Sequence, residues 1–143
     1  MRALIKMMLL IMCFSMNQSQ ARPTTVAEAQ LPIVYTEDKP AAVVQANQPE
    51  FSIKLKSNPT TGYSWYLRSY DANLVQPVKH VYEAPANKKL IGASGYEIWT
   101  FRVKANGFLV PMQTAIRFVY TRPWEANGQA KQVVFEVATQ QKN

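Results

Sequence analysis

Cysteine is almost absent from this 143-residue chain: Cys13 is the only one. A lone cysteine forms no internal disulfide, so the fold must rest on an apolar core, for which the length suffices. Histidine is equally scarce, with His80 standing alone. That leaves little from which to build a Ser-His-Asp arrangement or a zinc site, and nothing marks a nucleophile elbow. No catalytic residue, metal or cofactor is expected, and His80 reads as a half-exposed strand residue. Long apolar runs are missing too. The run from Met7 to Phe14 is too short to span a bilayer. No stretch shows a helical stripe, and no internal repeat appears. Basic residues outnumber acidic ones by 16 to 9. They are scattered along strands as Lys54, Lys56, Arg68, Lys79, Arg102, Lys104 and Arg117, without interleaved stacking aromatics. A nucleic-acid partner is therefore not expected.

The N-terminus has the layout of a secretory signal peptide. Arg2 and Lys6 give a positive start, Met7 to Phe14 an apolar run, and Ser19-Gln20-Ala21 a small-residue cleavage site before Arg22. Residues 1–21 are thus expected to be a signal peptide, 22–30 a flexible linker, and 31–143 one domain. Export to a periplasm or to the outside follows, with no stable membrane insertion after cleavage. Lipidation of Cys13 is disfavoured by the bulky Met12 before it. Removal of Arg2 and Lys6 takes 16 basic residues to 14 against 9 acidic, a charge of about +5.

The period that recurs is two, the mark of half-buried strands. Phe51, Ile53 and Leu55 alternate with Ser52, Lys54 and Lys56. Tyr63, Trp65 and Leu67 alternate with Ser64, Tyr66 and Arg68. Trp99, Phe101 and Val103 form a third apolar face, Ile116, Phe118 and Tyr120 a fourth, and Val133, Phe135 and Val137 a fifth. Weaker signals lie near Ile33 to Tyr35, Ala42 to Ala46 and Val78 to Tyr82. Seven to eight short strands predict an all-β, immunoglobulin-like antiparallel β-sandwich, with Trp65 plugging the space between the sheets.

Six of these strands fall at about 50–57, 63–70, 78–84, 96–104, 113–121 and 131–139. If successive strands reverse, alternate loops share one end of the sandwich, and three unusual segments fall in such loops. Asn58-Pro59-Thr60-Thr61-Gly62 is a proline-braced turn with two threonines at its tip. Threonine is stiff at χ1, so a small rigid tip of this kind suits a narrow cleft. Gly92-Ala93-Ser94-Gly95 would leave backbone open to close approach by another chain. Arg122-Pro123-Trp124 places the two commonest binding anchors in a polar loop. Sites on sandwich domains are commonly built from loops in this way.

These residues resemble the chagasin-like inhibitors of papain-family cysteine peptidases. Asn58-Pro59-Thr60-Thr61-Gly62-Tyr63 followed by Trp65, and Arg122-Pro123-Trp124 after Tyr120, match the first and third family motifs. The second usually reads Gly-any-Gly-Gly, and here Ser94 stands at the third position. The resemblance spans about residues 31–140. It implies a monomeric, reversible, competitive inhibitor. The Thr60–Thr61 loop would enter the catalytic cleft, with Gly92–Gly95 and Arg122–Trp124 clasping it from either side. The alternative is an exported carbohydrate-binding or adhesive sandwich using Trp124 and Tyr63. It would need a flat aromatic platform, which a threonine-tipped wedge does not provide.

Overall fold

A computed structural model describes residues 31–87, 92–125 and 130–141. The expected signal segment 1–21 with its Cys13, and the expected linker 22–30, lie outside the described residues. Eight strands follow one another: β1 (Ile33–Thr36), β2 (Ala41–Gln45), β3 (Glu50–Ser57), β4 (Ser64–Ser69), β5 (Val75–Glu83), β6 (Gly95–Val103), β7 (Gln113–Thr121) and β8 (Lys131–Gln140). The only helical turns among the described residues are short 3₁₀ pieces at Pro59–Thr61 and Ala105–Phe108.

The strands form two four-stranded sheets, ordered β1-β3-β6-β5 and β2-β8-β7-β4. The expected sandwich is present, with one difference: β1 pairs with β3, and β2 with β8, in parallel. The other four pairings are antiparallel. The reason is alternation between sheets. The chain reverses at every connection, but β1, β2 and β3 lie in alternate sheets, so β1 meets β3 after two reversals. Odd-numbered strands therefore all run one way and even-numbered strands the other.

In place of a disulfide, aromatic packing holds the sheets together. Phe51 stacks on Phe101 at 5.7 Å, Phe101 meets Phe118 edge-on at 6.1 Å, and Phe118 meets Phe135 at 6.1 Å. These four rings come from the central strands β3, β6, β7 and β8, and each is at most 1% exposed. Each ring buries a large apolar area in a favourable offset or edge-on geometry. Ile53, Leu55, Ile116 and Val137 fill the gaps between them. Trp65 is 2% exposed and donates from Nε1 to the Lys56 carbonyl oxygen at 2.9 Å. It fills the core near one end and satisfies its own polar atom there.

The direction rule fixes where the loops lie. Connections from an odd to an even strand share one end: β1–β2, β3–β4, β5–β6 and β7–β8. The three unusual segments occupy the last three of these.

Candidate functional site: three loops at one end of the sandwich

The β3–β4 loop is organised around Asn58. Pro59 fixes φ for the start of a single 3₁₀ turn, and Gly62 closes it at φ 81°, with its N–H bonded to the Pro59 carbonyl at 2.9 Å. Thr61 donates from N–H and from Oγ1 to the Asn58 carbonyl, at 3.2 and 2.6 Å. Thr60 Oγ1 donates to Asn58 Oδ1 at 2.6 Å. Both threonine hydroxyls thus brace the turn while their residues stay exposed. The carbonyls of Asn58, Pro59 and Thr61 all accept hydrogen bonds from within the protein.

Direct bonds join this loop to its neighbours. Asn58 Nδ2 donates to the Gly92 carbonyl at 3.2 Å, and Asn58 N–H donates to the Tyr120 hydroxyl at 3.0 Å. Arg122 Nε donates to the Thr61 carbonyl at 3.1 Å. The Arg122 guanidinium also lies 4.4 Å over the Tyr63 ring and pairs with Glu125 at 2.9 Å. Tyr63 in turn donates from its hydroxyl to Glu125 at 3.3 Å and stacks on Tyr120 at 5.3 Å. From its motif, Arg122 is expected to anchor a partner. In the folded chain its donors hold the first loop to the third.

Trp124 is 70% exposed, in contrast to Trp65. Its ring lies along the first loop, and a Cβ on Gly62 would sit 3.0 Å from Trp124 Cη2. Gly62 is favoured by its positive φ, and its missing side chain leaves room for the ring to lie close. Pro123, ahead of Trp124, is exposed as well.

The second loop differs in part from its expected role. The Gly92 carbonyl joins the first loop as described. Gly95, expected to offer open backbone, is buried instead. A Cβ there would lie 2.3 Å from the Glu83 carbonyl and 2.5 Å from the Tyr82 hydroxyl. Its missing side chain makes room for β5 of the same chain. Ala93 and Ser94 are half-buried between the two glycines.

Three further contributors lie outside the three motifs. The β1–β2 turn lies at the same end, where Glu37 accepts from the Lys56 N–H at 3.2 Å and pairs with Lys131. Glu125, three residues after Arg122, orients both Arg122 and Tyr63. Glu97 is a buried carboxylate at the base of the first loop. Extending the inward period of Trp99, Phe101 and Val103 back by one step would have found it. His80 has a 43% exposed side chain, as expected for a half-exposed strand residue, yet its ring stacks on Trp99 at 3.8 Å. Among the described residues no three His, Cys, Asp or Glu side chains converge on a point that could hold a metal ion. No helix among them is long and apolar enough to cross a membrane.

Comparisons with known proteins give a family and a shared fold. Residues 45–138 match the family model described as Chagasin family peptidase inhibitor I42. Chagasin from Trypanosoma cruzi is 36% identical over 75 residues, which is 50% of this chain and 64% of chagasin. The match thus spans slightly less than two thirds of that relative. Among solved structures, a cysteine protease inhibitor from Entamoeba histolytica superposes with a TM-score of 0.58 at 20% identity. The overlap takes in 75% of this chain and 94% of that one. Amebosin gives 0.54 at 22%, over 78% and 99% of the two chains. PbICP-C, solved in complex with falcipain-2, gives 0.52 at 15%, over 77% and 90%. At these identities the structures establish a shared fold.

Proposed function

The chain belongs to the chagasin family of peptidase inhibitors, and on that premise we propose that it is a reversible, competitive inhibitor of papain-family cysteine peptidases. One observation carries the reading. Asn58 bonds to Gly92, and Thr61 to Arg122, so that the three family loops form one hydrogen-bonded unit at one end of a rigid sandwich. The exposed Thr60–Thr61 tip enters the cleft. Gly92, Ala93 and Ser94 flank it on one side and Pro123 and Trp124 on the other. Asn58, Pro59, Gly62, Tyr63, Gly95 and Arg122 hold the wedge in shape.

This geometry favours occlusion over cleavage. A cysteine peptidase acylates itself only when a carbonyl carbon reaches its thiolate and the oxygen reaches the oxyanion donors. The carbonyls of Asn58, Pro59 and Thr61 are bound inside the inhibitor. Presenting them would require the turn to come apart. The turn is also ordered before binding, so little conformational entropy is lost on association.

The reading extends to export. Residues 1–21 serve as a signal peptide and the protein works in a periplasm or outside the cell, as one copy per peptidase without a cofactor. Its support is the charged start, apolar run and small-residue site of the sequence, and the origin of all three loops in one chain. Steady-state assays of papain with increasing purified protein test the function. The expected result is a rise in apparent KM at unchanged kcat, with the inhibitor recovered uncut. Full activity of several papain-like enzymes at micromolar protein would refute it.

A further inference from the structure

The inward face of β6 carries a carboxylate where the pattern calls for an apolar residue. Glu97 is 4% exposed, and a buried charge of this kind persists only with hydrogen-bonding partners. Its partners are all on other strands. Oε1 accepts from Ser57 Oγ at 2.6 Å and from the Trp65 N–H at 3.1 Å. Oε2 lies 2.9 Å from His80 Nε2.

Ser57 is the last residue of β3, and Trp65 stands at the start of β4, in the opposite sheet. Between them runs the whole threonine-tipped loop. A single carboxylate oxygen therefore holds the chain both where it enters that loop and where it leaves. It also ties the two sheets together at the loop's base. His80, on the edge strand β5, engages the second oxygen, and its stacking on Trp99 fixes the imidazole. The carboxylate is thereby constrained at both oxygens, and the neck of the loop with it.

We propose that Glu97 is a positioning residue for inhibition: it touches no peptidase, yet it sets the width and direction of the loop neck so that Thr60 and Thr61 arrive in register with the cleft. A core built only for stability would place an apolar side chain here, because a buried charge is seldom the more stable choice. A carboxylate with partners on three strands supplies direction instead. Preorganised sites depend on such supports, since a small drift at the base becomes a large one at the tip.

The proposal rests on the inhibitory reading, and its test separates the two. Glu97→Ala, Glu97→Gln and Ser57→Ala are made in the whole protein. Three quantities are measured for each: thermal melting, inhibition of papain, and amide hydrogen exchange in the free protein. The informative amides are Thr61 and Gly62, whose acceptors lie within the turn. At a temperature where the melt shows it folded, Glu97→Ala is expected to raise Ki at least about tenfold. Exchange at Thr61 and Gly62 should quicken by a similar factor, while amides of Phe118 and Phe135 stay protected. Glu97→Gln keeps an acceptor for Ser57 and Trp65 and should recover most of the inhibition and the slow exchange. Ser57→Ala removes one arm and should give an effect of about threefold. It also decides the matter should Glu97→Ala fail to fold. Wild-type Ki and wild-type exchange at Thr61 and Gly62 in a folded Glu97→Ala, or in Ser57→Ala if the former is unfolded, would overturn the proposal. Because exchange needs no peptidase, a wild-type protein that inhibits nothing would sink the functional reading by itself while exchange still tests the clamp.

Discussion

Arg122 donates from Nε to the carbonyl oxygen of Thr61 at 3.1 Å, across a sequence separation of 61 residues. This bond joins the tip of the first loop to the base of the third, and Glu125 and Tyr63 hold the guanidinium in place for it. Arg122→Ala should loosen the tip without disturbing the core. Charged hydrogen bonds contribute about 1.5–3 kcal/mol when shielded, and this one is partly exposed. An increase in Ki of about tenfold is expected, with the melting temperature little changed. Arg122→Lys should not restore inhibition, because one ammonium reproduces neither the fork nor the stacking. Wild-type inhibition by Arg122→Lys would show that charge alone suffices.

Trp124 should be the main lateral anchor. At 70% exposure it contributes little to the core, and exposed tryptophans dominate many interfaces. Trp124→Ala should weaken inhibition by about 2 kcal/mol or more, some thirtyfold, with an unchanged melt. Thr61→Arg should also weaken it, by steric exclusion from the cleft. If Trp124→Ala melted the domain while its folded fraction inhibited normally, the anchor role would be wrong.

Trp65 should behave in the opposite way. Its 2% exposed ring fills the space between the sheets, and its truncation opens a cavity. Trp65→Ala should lower stability by about 3–5 kcal/mol, read from chemical denaturation. Ki measured well below the melting temperature should change less than for Trp124→Ala. A small stability loss would remove Trp65 from the core account.

Export predicts a mature N-terminus at Arg22, within a few residues. Intact-mass spectrometry of the protein from its native source reads this directly. A species retaining Met1 to Ala21 would contradict export, and a diacylglyceryl adduct on Cys13 would show a lipoprotein instead.

The sequence disclosed most of the fold, because one-sided burial imposes a period of two on residues such as Phe118 and Phe135, with the buried Ser52 beside Phe51 an exception. Weaker periodicity meant a looser reading. β5 begins at Val75, three residues before the expected start, since the shift in register between Pro77 and Lys79 breaks its alternation. The parallel pairing of β1 with β3 and of β2 with β8 was not legible, because a short strand's own pattern does not say which sheet it joins. The loops stood out by composition, and reversal of successive strands placed them at one end. Their wiring did not stand out. That Asn58 is a hub, that Arg122 turns back on Thr61, and that Gly95 makes room for Tyr82 are long-range facts of packing. Glu97 was within reach, as the charged residue one step back along the inward period of Trp99, Phe101 and Val103.

The central claim is that this end of the sandwich closes a catalytic cleft. It is tested most directly by the rate at which a small alkylating reagent labels the catalytic cysteine of papain. With one equivalent of bound inhibitor, labelling should fall close to zero, and Trp124→Ala should restore it at concentrations where the wild-type protein still protects. A saturated complex whose cysteine alkylates at the free-enzyme rate would place the protein elsewhere on the peptidase and contradict the account.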